Sequence, residues 1–123
     1  MGDCVVIDYQ GPLVSTNAAY KKTRTGIFYM SKEGKAMKEL IALSARRAMR
    51  GRELFGGNVG VTIDIWFRTG RNDVDGPVKL ILDSLNDIVW NDDRQIKTYT
   101  VSKYIAEDSR NVGCQIQVTE AGA

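Results

Sequence analysis

The sequence contains no histidine. That single absence removes Ser-His-Asp and Cys-His nucleophilic machinery and every His-ligated zinc site. It has only two cysteines, Cys4 and Cys114, far apart and outside any CxxC pair. Two buried thiols of a reducing compartment, in strand-like surroundings, are expected, with a disulfide between them as the alternative. Two prolines and apolar runs of only a few residues leave no Pro-rich linker and no stretch approaching the roughly 20 residues a membrane-spanning helix needs. Met1-Gly2-Asp3-Cys4 has no basic region leading into an apolar core, so no secretory signal is read and a cytoplasmic location is expected. Any acid-base or metal chemistry must come from carboxylates, lysine, tyrosine or water.

What is present fits one compact domain over residues 1–123, with 43% hydrophobic residues. The net charge is only +2, but its distribution is uneven. Tyr20 to Arg52 holds ten Lys or Arg against Glu33 and Glu39, a local +8. Asp73 to Asp93 holds six aspartates against Lys79, a local −5. A basic surface beside an acidic patch suits a polyanion held next to a cation site, although basic helices also serve solubility alone.

Hydrophobic periodicity outlines the elements. Residues 4–9 read as a strand broken by Gly11-Pro12, 15–25 as a loop, and 26–30 as a short strand. Ser31 is a helix N-cap, and Met37, Leu40, Ile41, Ser44, Ala45 and Ala48 form the apolar stripe of a helix over 32–50, ended by Gly51. Strict alternation from Val59 to Phe67 gives a half-buried strand. A second helix is expected over 77–89 with Pro77 in its first turn, then strands over 95–105 and 111–119. The fold class is α+β, a mixed β-sheet with two helices packed on it.

The chemistry concentrates in Arg71-Asn72-Asp73-Val74-Asp75-Gly76-Pro77-Val78-Lys79, then Asp83, then Val89-Trp90-Asn91-Asp92-Asp93. In an extended segment Asp73 and Asp75 would point the same way. Paired carboxylates raise each other's pKa unless a cation lies between them, and Mg²⁺ takes one or two carboxylates plus water and phosphate. Lys79 lies four residues after Asp75 and four before Asp83, along one helix face. The same residues also have a purely structural reading: Asp75 as an N-cap, Asp92-Asp93 as a turn, Lys79–Asp83 as a surface pair. A calcium loop is excluded because Val78 and Ser84 occupy its glycine and glutamate positions.

The run Asp73-Val-Asp75-Gly-Pro-Val-Lys79 with Asp83, followed by Val89-Trp90-Asn91-Asp92-Asp93-Arg-Gln95-Ile96, resembles the signature of RusA-type Holliday-junction resolvases. Gly11-Pro12, Asn17, Tyr20 and Tyr29-Met-Ser31-Lys-Glu33-Gly34 resemble that family's opening. The resemblance implies a homodimer, a Mg²⁺ or Mn²⁺ requirement, and paired symmetric nicks in four-way-junction DNA by metal-activated water. By position it implies Asp73, Asp75 and Asp93 as metal ligands and Lys79 as the catalytic lysine. DNA contacts are then expected from Lys21, Lys22, Arg24, Lys35, Arg46, Arg50, Arg68 and Arg71. Three departures bear on substrate preference and efficiency: Gly76 where the family has asparagine, Asn72 where it has arginine, and a spacing from Asp83 to Trp90 shorter by one residue. The competing functions are a nuclease for other branched or single-stranded DNA, a junction-binding protein without catalysis, and a protein-interaction module.

Overall fold

The computed structural model describes residues 4–121. Along the chain run β1 (Cys4–Gln10), α1 (Thr16–Ala19), β2 (Tyr20–Lys22), β3 (Phe28–Met30), α2 (Lys32–Ala48), β4 (Val59–Phe67), α3 (Val78–Asp83), β5 (Ile96–Ile105) and β6 (Gly113–Glu120). Short 3₁₀ turns at Asp93–Gln95 and Ser109–Asn111 precede β5 and β6.

Four strands form one sheet in the order β1-β6-β4-β5. β6 is antiparallel to both β1 and β4, whereas β4 and β5 run parallel, so the sheet is mixed as expected. Parallel neighbours need a crossover, and α3 with its flanking loops supplies it. The alternation read in β4 is borne out: Val59, Val61, Ile63, Ile65 and Phe67 are all buried. They join Val5, Ile7, Ile116 and Val118 from the neighbouring strands and Met37, Ile41, Ala45, Leu80 and Ile81 from the helices in one core. The helices thus cover one face of the sheet. On the other face Trp66 stacks on Tyr104, ring centroids 5.3 Å apart.

No helix among the described residues is long and apolar enough to cross a membrane.

The structure corrects several expectations. Residues 15–25 are not simply loop. Ser15 caps α1 by accepting from the Ala18 N–H, and the chain continues into β2, which pairs with β3 as a separate two-stranded hairpin. Four-residue helices and three-residue strands carry too few side chains to show a period.

The Ser31 cap of α2 is confirmed, its hydroxyl accepting from the Gly34 N–H. The buried stripe, however, is Gly34, Met37, Ile41, Ala42 and Ala45, with Leu40 49% exposed. The helix stops at Ala48, and the chain leaves it through Gly51, whose φ of +75° is a left-handed conformation that glycine adopts without Cβ strain.

The second helix is shorter than 77–89. It ends at Asp83, past which the Leu85 and Ile88 N–H groups turn to carbonyls three residues back, those of Leu82 and Leu85, and Asp87 turns left-handed at φ +66°. Trp90 then closes the turn, its Nε1 donating to Asn86 Oδ1 at 2.7 Å. Leu85 and Val89 stay fully buried all the same, which is why the apolar spacing looked continuous. Of the two cysteines only Cys114 is buried; Cys4 is exposed because it lies on the outward face of the edge strand β1.

Candidate active site

The acidic segment lies between the end of β4 and the start of β5. After Phe67 the chain enters a loop that Lys103 of β5 holds, its Nζ donating to the Gly70 carbonyl at 3.2 Å and the Asn72 carbonyl at 2.9 Å. Asp73 and Asp75 follow. They are not in an extended segment. Consecutive turns, Gly76 N–H to Asp73 O and Val78 N–H to Asp75 O, carry them into α3. Both are exposed, and among the described residues neither carboxylate has a hydrogen-bond or ion-pair partner. Asp75 does not cap the helix; the N-cap position is Pro77, with no side-chain cap bond. Instead α3 is fixed by α1, where the Thr16 hydroxyl accepts from the Leu80 N–H at 3.3 Å and the Thr16 N–H donates to the Gly76 carbonyl at 2.8 Å.

Lys79 projects from the first turn of α3. Its ammonium donates to Asp83 Oδ1 at 2.9 Å and to Asp93 Oδ2 at 3.5 Å, joining the helix to the 3₁₀ turn before β5. Hydrogen bonding to Asp83 is the main reason the lysine is held more firmly protonated than usual. The second oxygen of Asp83 accepts from the Tyr20 hydroxyl at 2.8 Å, and burial followed by that bond pushes Tyr20 up to about 12. Tyr20, Asp83, Lys79 and Asp93 therefore form one continuous polar chain across three segments.

Asp92 and Asp93 play different parts. Asp92 caps the 3₁₀ turn, and the Arg94 backbone N–H it accepts from is the first cause holding its carboxyl below the usual range. Asp93 points to Lys79. The turn is fastened by Gln95, whose side-chain oxygen accepts from the Asn91 and Asp92 N–H groups while its nitrogen donates to the Phe55 and Gly57 carbonyls.

Among the described residues no three Asp, Glu or Cys side chains converge closely enough to hold a metal ion. Asp73, Asp75 and Asp93 are thus not gathered into one cluster, and Lys79 stands beside Asp93 instead. The donors nonetheless suit Mg²⁺ or Mn²⁺ in kind, because two unpartnered, exposed carboxylates are a hard-oxygen set of the usual size for Mg²⁺.

The eight basic residues expected to meet DNA all lie on the surface. Lys21, Lys22 and Arg24 are on the β2–β3 hairpin, and Lys35, Arg46 and Arg50 on or just past α2. Arg68 follows β4, its Nη1 reaching the Ala106 carbonyl at 3.4 Å, and Arg71 lines a cleft of about 280 Å³ with Asp73. A second cleft of about 440 Å³ runs between Arg46 and Lys38 of α2 and Asp83.

Reading the sequence alone missed Tyr20, Thr16 and Lys103 as supports of the site. Their partners lie 63, 64 and 31 to 33 residues away, and no local pattern signals such contacts.

The family model Endodeoxyribonuclease RusA matches residues 10–118, nearly the whole chain. No curated protein matches it. The chain belongs to the RusA endodeoxyribonuclease family.

Proposed function

For this member of the RusA endodeoxyribonuclease family, we propose a Mg²⁺- or Mn²⁺-dependent, structure-selective endonuclease that resolves Holliday junctions by paired symmetric nicks. The observation that carries this reading is the bridge of Lys79 between Asp83 and Asp93, beside a loop whose two carboxylates have no partner among the described residues. Asp73 and Asp75 would hold the cation, with Asp93 as third ligand once Lys79 turns to substrate. When bound, the cation supplies Lewis-acid polarisation of the scissile phosphate and a lowered pKa for a nucleophilic water.

The remaining chemistry belongs to the chain. Lys79, 60% exposed, sits where its ammonium meets a phosphate oxygen and offsets the charge that develops there. Asp83 keeps that ammonium protonated and aimed. Asp92, occupied in capping its turn, is not a ligand in this reading. Lys21, Lys22, Arg24, Lys35, Arg46, Arg50, Arg68 and Arg71 bind phosphates of the DNA arms, so affinity falls steeply with salt. A four-way junction is two-fold symmetric, and two copies of the chain about a two-fold axis present two such sites. Residues 1–123 act as one domain in a cytoplasmic enzyme.

A nicking assay tests this. A labelled synthetic four-way junction and a matched duplex are incubated with the protein in Mg²⁺ or EDTA, beside Asp75→Asn. Symmetric, metal-dependent cuts confined to the junction and lost in the variant are expected. Junction binding without cutting in either metal would leave a DNA-binding protein and refute the enzyme.

A further inference from the structure

The β2–β3 hairpin presents apolar side chains to solvent beside the polar chain that contains Lys79. Phe28 is 75% exposed, Ile27 64% and Tyr29 49%. Phe28 is the most exposed large apolar residue described. The hairpin is also a built element. Thr23 closes its tip, with backbone bonds to Ile27 and Gly26 and a 3.0 Å bond from the Ile27 N–H to its hydroxyl.

Side chains on opposed strands share a face when their residues pair, and faces alternate along each strand. Tyr20 pairs with Met30 and Lys22 pairs with Phe28, so these four lie on one face, with Lys21 and Tyr29 on the other. At the base of that face Tyr20 and Met30 pack on the core, and the Tyr20 hydroxyl reaches Asp83. Two residues further out, the same face carries Lys22 and Phe28 into solvent, the Lys22 ammonium 5.3 Å from the Phe28 ring centre. An aromatic ring with a cation over it therefore stands two residues further along the face whose base reaches Asp83, the partner of Lys79. Residues 20–30 contain Lys21, Lys22 and Arg24 and no acid, so the occupant this surface fits is a polyanion with flat apolar faces.

We infer that the hairpin is a base-stacking finger: Phe28 stacks on a nucleobase freed from its neighbours at the branch point, while Lys22 holds the adjoining phosphate. Duplex arms offer no unstacked base, so the finger contributes to junction affinity and not to duplex affinity. This rests on the branched-DNA reading above.

The test measures binding in EDTA, which prevents metal-dependent cutting, to a synthetic four-way junction and to a duplex of the same sequence. Phe28→Ala is expected to bind the junction about 5- to 140-fold more weakly, the range for one lost base stack, with duplex binding and the salt slope unchanged. Phe28→Trp restores junction affinity, and its added fluorescence, read against wild type, is quenched by the junction and not by the duplex. Phe28→Leu stays weak, because it keeps the apolar surface and loses the ring. Equal junction affinity of wild type, Phe28→Ala and Phe28→Leu overturns the finger while leaving the branched-DNA reading in place. A Phe28→Ala protein whose oligomeric state changes, with both DNA affinities falling together, makes the hairpin a contact between copies and also overturns it. A wild-type protein that binds junction no better than duplex overturns the branched-DNA reading and the finger with it.

Discussion

Replacing Gln95 by alanine should both destabilise the protein and slow cleavage. Its amide makes four bonds: N–H groups of Asn91 and Asp92 reach its oxygen at 2.9 and 3.1 Å, and its nitrogen reaches the Phe55 and Gly57 carbonyls at 2.6 and 2.8 Å. Two backbone donors on one side and two carbonyls on the other fix which end of the amide is which. A net hydrogen bond is worth about 0.5–1.5 kcal/mol, so four would reach roughly 2–6 kcal/mol if all were shielded. The bonds from Asn91 and to Gly57 are exposed, and their backbone partners rehydrate in the variant. A loss of about 2 kcal/mol remains, which for a domain of this size lowers Tm by roughly 6–10 °C. Gln95→Glu keeps the acceptor but sets a carboxylate against two carbonyl oxygens. It should be worse than alanine at neutral pH and recover as acid protonates it. Thermal melts monitored by circular dichroism give Tm, and junction nicking at a temperature where every variant is folded gives the rate. Cleavage should fall well beyond any loss of folded protein, because the turn that carries Asp93 is loosened. A Tm change under about 2 °C for the alanine variant would refute the reasoning.

Three further outcomes follow from contacts elsewhere. Gly34→Ala should destabilise although alanine is the better helix former by about 1 kcal/mol, because its Cβ would stand 2.8 Å from the Ala19 Cα, and overpacking costs about 1–3 kcal/mol; a raised denaturant midpoint would contradict this. Lys103→Met frees the carbonyls of Gly70 and Asn72, so trypsin should cut after Arg68 or Arg71 faster by mass spectrometry while the global Tm moves little; an unchanged cleavage rate would mean the lysine does not hold the loop. Burial raises the Cys114 thiol from 9.0 to about 12, so its neutral form contributes stability that is complete below pH 9.0 and lost as the pH rises towards 12. A thiol reagent at pH 8 should therefore modify the exposed Cys4 alone, and rapid loss of both thiols in the native protein would count against the burial.

How legible the molecule was from its sequence depended on the range of the interactions. β4 and the Ser31 cap of α2 could be read because a two-residue alternation and a capping hydroxyl are local signals. The mixed sheet followed from element order. Only half of the hairpin could be read: the apolar run 26–30 indicated its second strand, whereas Tyr20–Lys22 is three residues long, polar and basic, and gains its order from Ser15, Thr23 and its pairing with Phe28–Met30. The end of α3 was hidden for another reason. Leu85 and Val89 are buried through tight turns and not through a helix, and burial alone does not distinguish the two. Within the site, spacing pointed to Lys79 and Asp83 and the family resemblance to Asp93, and the structure joins the three. The idea that Asp73 and Asp75 share an extended face failed because Gly76 and Pro77 turn the backbone between them and α3.

The polar chain itself makes a last prediction. Tyr20 and Asp83 lie 63 residues apart, and their bond ties the hairpin to the helix that carries Lys79. If the chain works as a unit, losing Tyr20's hydroxyl should be felt at Lys79. Tyr20→Phe keeps the ring, so stability should fall by only about 1.5–3 kcal/mol, the worth of a hydrogen bond to a charged group. The consequence for catalysis should be larger than the consequence for folding, because Asp83 is then free to turn and the ammonium with it. A thermodynamic cycle separates the two. In the Lys79→Ala background the added Tyr20→Phe should leave the residual cleavage rate unchanged, since the group it positions is gone, with cleavage read at a temperature where every variant is folded because the two stability losses couple through the shared Asp83. Cleavage losses that multiply in the double variant would mean that Tyr20 acts on the reaction by another route, and the chain from hairpin to lysine would have to be abandoned.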